Sequence, residues 1–268
     1  MDTVGPAPFP LSGRPLPQPL PRAVEAALWR ADRLGRVTER TCATGFEALD
    51  RELPGGGWPT HALTEVLQQP PRPTQPLAEW RLLLPCLSQL DSRLPVVLIG
   101  PPHPPHAPGL QQAGVAASRL VWVQARSTPE RLWATEQLIK GPGSARELGA
   151  IVAWLPQAQA AHIRRLQTWA LHCDAPVFLL RPAQARGESS AAPLRVLLSL
   201  SAQAGDLSVH LLKRRGPVRD EAITLRAWPL GLDTLDRPNL TRPTHPLRAQ
   251  PPAPKETHAL AIADPLHH

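Results

Sequence analysis

The side chains with chemistry to offer fall into three groups. Histidines His103 and His106, with His162 and His172, are the first candidates for a metal. The first pair lies in a proline-rich stretch with no carboxylate or third ligand near it in sequence, and His258, His267 and His268 are equally isolated. Structural or solvated histidine is the better reading, because zinc needs three or four converging ligands. Arg181, Arg186, Ser189 and Ser190, with Lys213, Arg214 and Arg215 further on, form the second group. Guanidinium, ammonium and hydroxyl donors suit phosphate oxygens, so these residues are candidate contacts to nucleic acid. No aromatic side chain lies in the 181–190 stretch to stack on a base, so such binding would be weak, salt-sensitive and indifferent to sequence. The competing reading is a solvated polar loop beside a charged strand end. The third group is the tryptophans. Most fall on predicted helices or strands and belong to a core, whereas Trp58 sits in a glycine–proline turn. Packing explains it as well, but Trp58 is the tryptophan best placed to meet a partner. A serine–histidine–aspartate set finds no G-x-S-x-G turn to support it.

Composition narrows the classes. The chain has 268 residues, 42% hydrophobic, enough for one sizeable domain with tails. Its net charge of +7 is carried almost wholly by arginine, with Lys140, Lys213 and Lys255 the three lysines. Such a balance attracts polyanions, though a general bias of composition would produce it equally well. Cys42, Cys86 and Cys173 show no paired spacing and leave one over, which argues against a disulfide scaffold or structural zinc and suits a reducing cytoplasm. No apolar run approaches the roughly 18 residues of a membrane span, and no signal peptide opens the chain. No membrane partner is expected.

The elements that must position these residues follow from periodicity. Residues 1–21 alternate proline with leucine and read as a disordered leader; 22–40 hold a short helix and linker, with Val24, Ala27, Leu28, Ala31 and Leu34 on one face. The main domain spans 41–228. Strand-length apolar runs at 62–67, 95–100, 120–124, 149–154 and 176–180 alternate with helical patterns at 77–90, 109–117, 129–140 and 158–172. That alternation predicts an α/β fold, a mainly parallel twisted sheet flanked by helices. Three further extended segments, 194–201, 207–214 and 221–228, are expected as antiparallel edge strands. Residues 229–268, rich in Pro, His and Arg, read as a disordered tail with a weak apolar cluster at Ala259–Ile262.

Thr44-Gly-Phe-Glu-Ala-Leu-Asp50, then Leu53 and Gly55-Gly-Gly-Trp-Pro59, resemble the beginning of the RecA/KaiC-type ATPase core. Thr44 is expected to cap the short helix that carries Phe46 and Leu49. Leu63-Thr-Glu-Val66 resembles the first core strand, and Val209-His-Leu-Leu-Lys-Arg-Arg-Gly-Pro217 a late strand of the same family. With Ala62–Glu65 and Glu79-Trp-Arg-Leu-Leu-Leu-Pro85, these pieces look like the ImuA family, RecA relatives sometimes grouped with the division inhibitor SulA. The likeness covers 41–228. It implies a RecA-like core and a role in damage-induced translesion synthesis beside an ImuB-type Y-family-like protein and an error-prone C-family DNA polymerase. It also implies that the 181–190 loop corresponds to one that meets single-stranded DNA.

The resemblance breaks where nucleotide chemistry should be. An ATPase of this family would carry G-x-x-x-x-G-K-[ST] after the first core strand, presenting backbone N–H groups and a lysine to the triphosphate. Here Gln68–Leu77 contains neither glycine nor lysine, and its four prolines remove donors. Arg72 and Thr74 are a poor substitute for a nest of amides. The strand 95–100 runs into Pro101-Pro102-His103 rather than a carboxylate, and 149–154 ends in Ala153-Trp154 where an aspartate would hold magnesium. The expectation is a non-catalytic accessory protein without a cofactor. A divergent ATPase and a SulA-like inhibitor are the alternatives.

Overall fold

The computed structural model describes residues 40–69, 78–141, 147–201, 206–216 and 220–227. The expectations for residues 1–39 and 228–268 lie outside these.

The order is β1 (Thr41–Cys42), α1 (Glu47–Asp50), β2 (Trp58–Pro59), β3 (Leu63–Gln68), α2 (Ala78–Gln89), β4 (Val96–Ile99), α3 (Ala107–Gln112), β5 (Leu120–Val123), α4 (Thr128–Lys140), β6 (Ala150–Trp154), α5 (Ala160–Ala170), β7 (Val177–Pro182), β8 (Leu194–Leu200), β9 (Asp206–Lys213) and β10 (Ile223–Arg226). All but β1 and β2 build one eight-stranded sheet, ordered β10-β9-β8-β3-β7-β6-β4-β5. From β8 to β5 every neighbouring pair is parallel; only the pairings β8–β9 and β9–β10 are antiparallel, so β9 alone runs against the other strands of this sheet. The predicted parallel α/β sheet flanked by helices is therefore present.

One expectation needs correction. Segment 194–201 is not an antiparallel edge strand: β8 pairs parallel with β3, Thr64 opposite Leu194 and Gln68 opposite Leu198. The connection from β7 contains a 3₁₀ turn at Ala183–Gly187 and crosses beyond β3 before β8 begins. An extended segment gives no sign of strand direction in its sequence, because the two-residue period is the same either way.

Both sheet faces are buried, and the strand period sorts the side chains. Val66, Leu98, Val152, Phe178 and Val196 meet Leu82, Leu83, Cys86 and Leu87 of α2. The alternate residues Leu63, Val97, Ile99, Ile151 and Leu179 meet Leu132 and Ile139 of α4 and Ile163 and Leu166 of α5. Continuous apolar strands belong in such a double-sided core. Helix starts are specified locally: Ser127 and Glu130 form a reciprocal capping box at α4, and the His106 ring accepts the Gly109 N–H at α3. Among the described residues no helix is long and apolar enough to cross a membrane.

The segment before β3 is bound tightly to α2. Thr44 Oγ1 accepts the Phe46 N–H at 3.0 Å and Asp50 accepts the Thr44 N–H at 2.9 Å, so the threonine closes a turn two residues short of the expected helix cap. Gly45 has φ +85°, and a Cβ there would lie 2.3 Å from Pro85 Cβ of α2. Glycine is required at that point both by conformation and by contact.

Candidate functional site

In an open parallel sheet the natural crevice lies beyond the carboxyl ends of the strands, where neighbouring connections diverge. Here that rim joins the ends of β3, β4, β6 and β7. Of the expected degenerate loop Gln68–Leu77, residues 70–77 lie outside the described residues, so the rim is defined by Gln68, Glu79 and what stands opposite them.

Glu79, in the first turn of α2, is 1% exposed. Its Oε1 accepts the indole N–H of Trp154, the last residue of β6, at 3.4 Å. The Trp154 ring packs against Trp80 with centroids 5.8 Å apart. Burial pushes the Glu79 carboxyl above its usual range, while hydrogen bonds from its own backbone N–H, Gln68 and Trp154 oppose that shift. An indole offers one N–H donor and no cation ligand. At the end of β6 the arrangement therefore stores a buried carboxyl against a tryptophan pair.

At the end of β4 the chain turns at Gly100, φ +58°, beneath the side chain of Arg131, which would lie 2.4 Å (Nε) from a Cβ there. Arg131 donates to Ala125 O at 3.0 Å and to Trp154 O at 3.2 Å, tying the exits of β5 and β6 together.

A second cluster underlies the end of β7. Glu65, in the middle of β3 and wholly buried, bridges two arginines. Its Oε1 accepts from Arg181 Nη1 at 3.1 Å and its Oε2 from Arg195 Nε at 2.5 Å. Arg181 also donates to Ala158 O and to Glu188 at 2.7 Å. Arg195 reaches Ala185 O at 2.8 Å and Glu188 O at 3.1 Å. Both guanidiniums thus hold the 183–188 turn from inside. β3, β7 and β8 are adjacent, so their registers bring Glu65, Arg181 and Arg195 together despite separations of 116 and 130 residues.

This geometry divides the seven candidate nucleic-acid contacts. Arg181 is corrected: its side chain is 1% exposed and committed to Glu65 and Glu188, so it offers nothing to a phosphate. Arg214 is turned inward to the Glu52 carbonyl and carboxylate. Arg186, Ser189, Lys213 and Arg215 are exposed, and Ser190 is half-buried. Lys213 donates to the Ser190 carbonyl at 2.8 Å, which brings the end of β9 to the loop. Trp58 is corrected as well. It is 0% exposed and meets Phe178 edge to face at 5.5 Å, so it is core rather than partner surface. A turn flanked by glycines gave no sign that a sheet lay above it.

Of the histidines, His106 and His162 serve as helix-start acceptors, His162 Nδ1 taking the Gln159 N–H at 3.1 Å. Among the described residues no three His, Cys, Asp or Glu side chains converge in a way that could hold a metal. Glu79, Glu65, Arg131 and Arg195 were missed at the sequence level. Glu65 alone carried a signal, as a charge inside an otherwise apolar strand flanked by Leu63, Val66 and Leu67.

Neither the family models nor the curated proteins compared with this chain give a match.

Proposed function

We propose that this chain is a non-catalytic RecA-like accessory protein of damage-induced translesion DNA synthesis, working through surfaces it presents to an ImuB-type protein and an error-prone polymerase. The observation that carries the non-catalytic part is Trp154. Where a phosphoryl-transfer site needs a magnesium-binding carboxylate, this side chain packs at a tilt against Trp80 and donates its only N–H to buried Glu79. The RecA-like part is supported by the T-G-F-E-A-L-D segment packed on α2 and by a parallel sheet with β3 near its centre. The DNA part is supported by the exposure of Arg186, Ser189, Lys213 and Arg215 and by the Lys213–Ser190 hydrogen bond, which joins the end of β9 to the 181–190 loop. The exposed set favours contact through phosphates without base reading.

Equilibrium titration of the full chain with labelled ATP and magnesium tests the first part, with no binding expected up to millimolar nucleotide. Micromolar affinity with turnover would make it a divergent ATPase. Purified ImuB-type protein and cell-division protein, titrated separately, test the second part. Binding to the former supports the proposal, and binding only to the latter replaces it with a SulA-like role.

A further inference from the structure

The spacing of the three cysteines shows no pair, yet the fold makes one. Cys42 on β1 and Cys86 on α2 stand with their sulfurs 3.5 Å apart, 44 residues apart in sequence. Both thiols are free, Cys42 partly exposed and Cys86 buried at 1% exposure. Three contacts hold them in register. β1 pairs with β2, placing Cys42 opposite Trp58. Gly57 lets the chain approach the Cys42 carbonyl, which would lie 2.2 Å from a Cβ at that position. One residue before Cys86, Pro85 is pressed against Gly45. A sulfur–sulfur bond is about 2.05 Å long, so closure needs an approach of roughly 1.5 Å.

We propose that Cys42 and Cys86 are a peroxide-responsive thiol pair whose disulfide clips the segment before β3 to helix α2. The Cys42 sulfur attacks a peroxide oxygen; the O–O bond breaks, hydroxide departs and takes up the thiol proton as water, and Cys42 becomes a sulfenic acid. Cys86 sulfur then displaces hydroxide from the Cys42 sulfur, its proton leaving with that hydroxide as a second water. Two thiols and one hydrogen peroxide give one disulfide and two waters. The order of events follows from access, since only Cys42 reaches solvent. The hydrogen bond from Cys86 also pulls the Cys42 thiol below its ordinary value, which favours the attacking anion. Cys173, 0% exposed and hydrogen-bonded to the Ala175 carbonyl, is an internal control. In a reducing compartment such a bond is transient, the behaviour of a sensor rather than of a scaffold.

The test treats the full chain with hydrogen peroxide and then reads intact mass, peptide map and melting temperature. The wild type is expected to lose the mass of two hydrogens, restored by dithiothreitol, with a Cys42–Cys86 cross-linked peptide and a melting temperature raised on the order of 10 °C. Cys86→Ser is expected to leave a sulfenic acid on Cys42 that dimedone captures, whereas Cys42→Ser leaves Cys86 unmodified. A wild type that keeps both thiols refutes the proposal. So does a cross-link through Cys173 or between chains, or direct passage of Cys42 to sulfinic acid. The wild-type mass and peptide map decide the matter even if a variant fails to fold.

Discussion

Replacing Glu65 by glutamine changes one oxygen to an amide nitrogen and should destabilise the domain severely. Each carboxylate oxygen of Glu65 accepts from a different arginine, Arg181 at 3.1 Å and Arg195 at 2.5 Å. A glutamine can satisfy one of them, and its NH₂ then faces the other guanidinium donor to donor. The two arginines are 3% and 6% exposed, so water cannot take over the missing contact. Breaking a buried ion pair from one side costs about 3–5 kcal/mol, against about 5–15 kcal/mol for the whole stability of a domain. For a domain of this size that corresponds to a fall in melting temperature of about 6–20 °C. Urea unfolding followed by far-UV circular dichroism measures the change, with the slope against urea expected to stay constant while the midpoint falls. Replacing Glu65, Arg181 and Arg195 together by methionine should cost less than Glu65→Gln alone, because no charge is left stranded. A Glu65→Gln loss under about 1 kcal/mol, or a triple variant worse than the single one, would refute the assignment of this cluster as a mutually dependent buried network.

Trp58→Ala should cost about 3–5 kcal/mol, since the ring is fully buried against Phe178; thermal unfolding reads it, and a near-neutral result would return Trp58 to the surface. Glu79 sets a pH dependence: with its carboxyl held above the usual range, the folded chain keeps a proton that the unfolded chain has already lost. Its contribution to stability is therefore full below the unfolded value and declines as pH rises through the folded one. Melting curves between pH 4 and 8, about the range where carboxyls titrate, should show Glu79→Gln flattening that decline; an unchanged profile would place the titration elsewhere. Arg186→Ala and Lys213→Ala should each weaken binding of single-stranded DNA uniformly across sequences and lower the salt slope by about 1, read by fluorescence anisotropy. Arg181→Ala instead should lower the melting temperature, because its guanidinium lies inside the fold.

Much of the sheet-and-helix alternation among the described residues was legible in the sequence. An apolar strand such as Ala150–Trp154 and a helix such as Thr128–Lys140, capped by Ser127, carry their signals in adjacent residues. The sequence also shows what the strand ends lack: proline and histidine follow β4, and tryptophan closes β6, whatever the fold does with them. How residues far apart in the chain meet depends on the packing of the strands across the sheet. Strand direction placed β8 beside β3, and this register set Glu65 between Arg181 and Arg195, removing Arg181 from the surface where its sequence neighbours remain. Trp58 passed from candidate contact to core because a sheet covers it, and Cys42 met Cys86 because Gly45 lets its segment lie against Pro85. Local pattern records what a residue's neighbours along the chain require. Burial and charge pairing depend on neighbours across the sheet, which a two-residue or helical period does not encode.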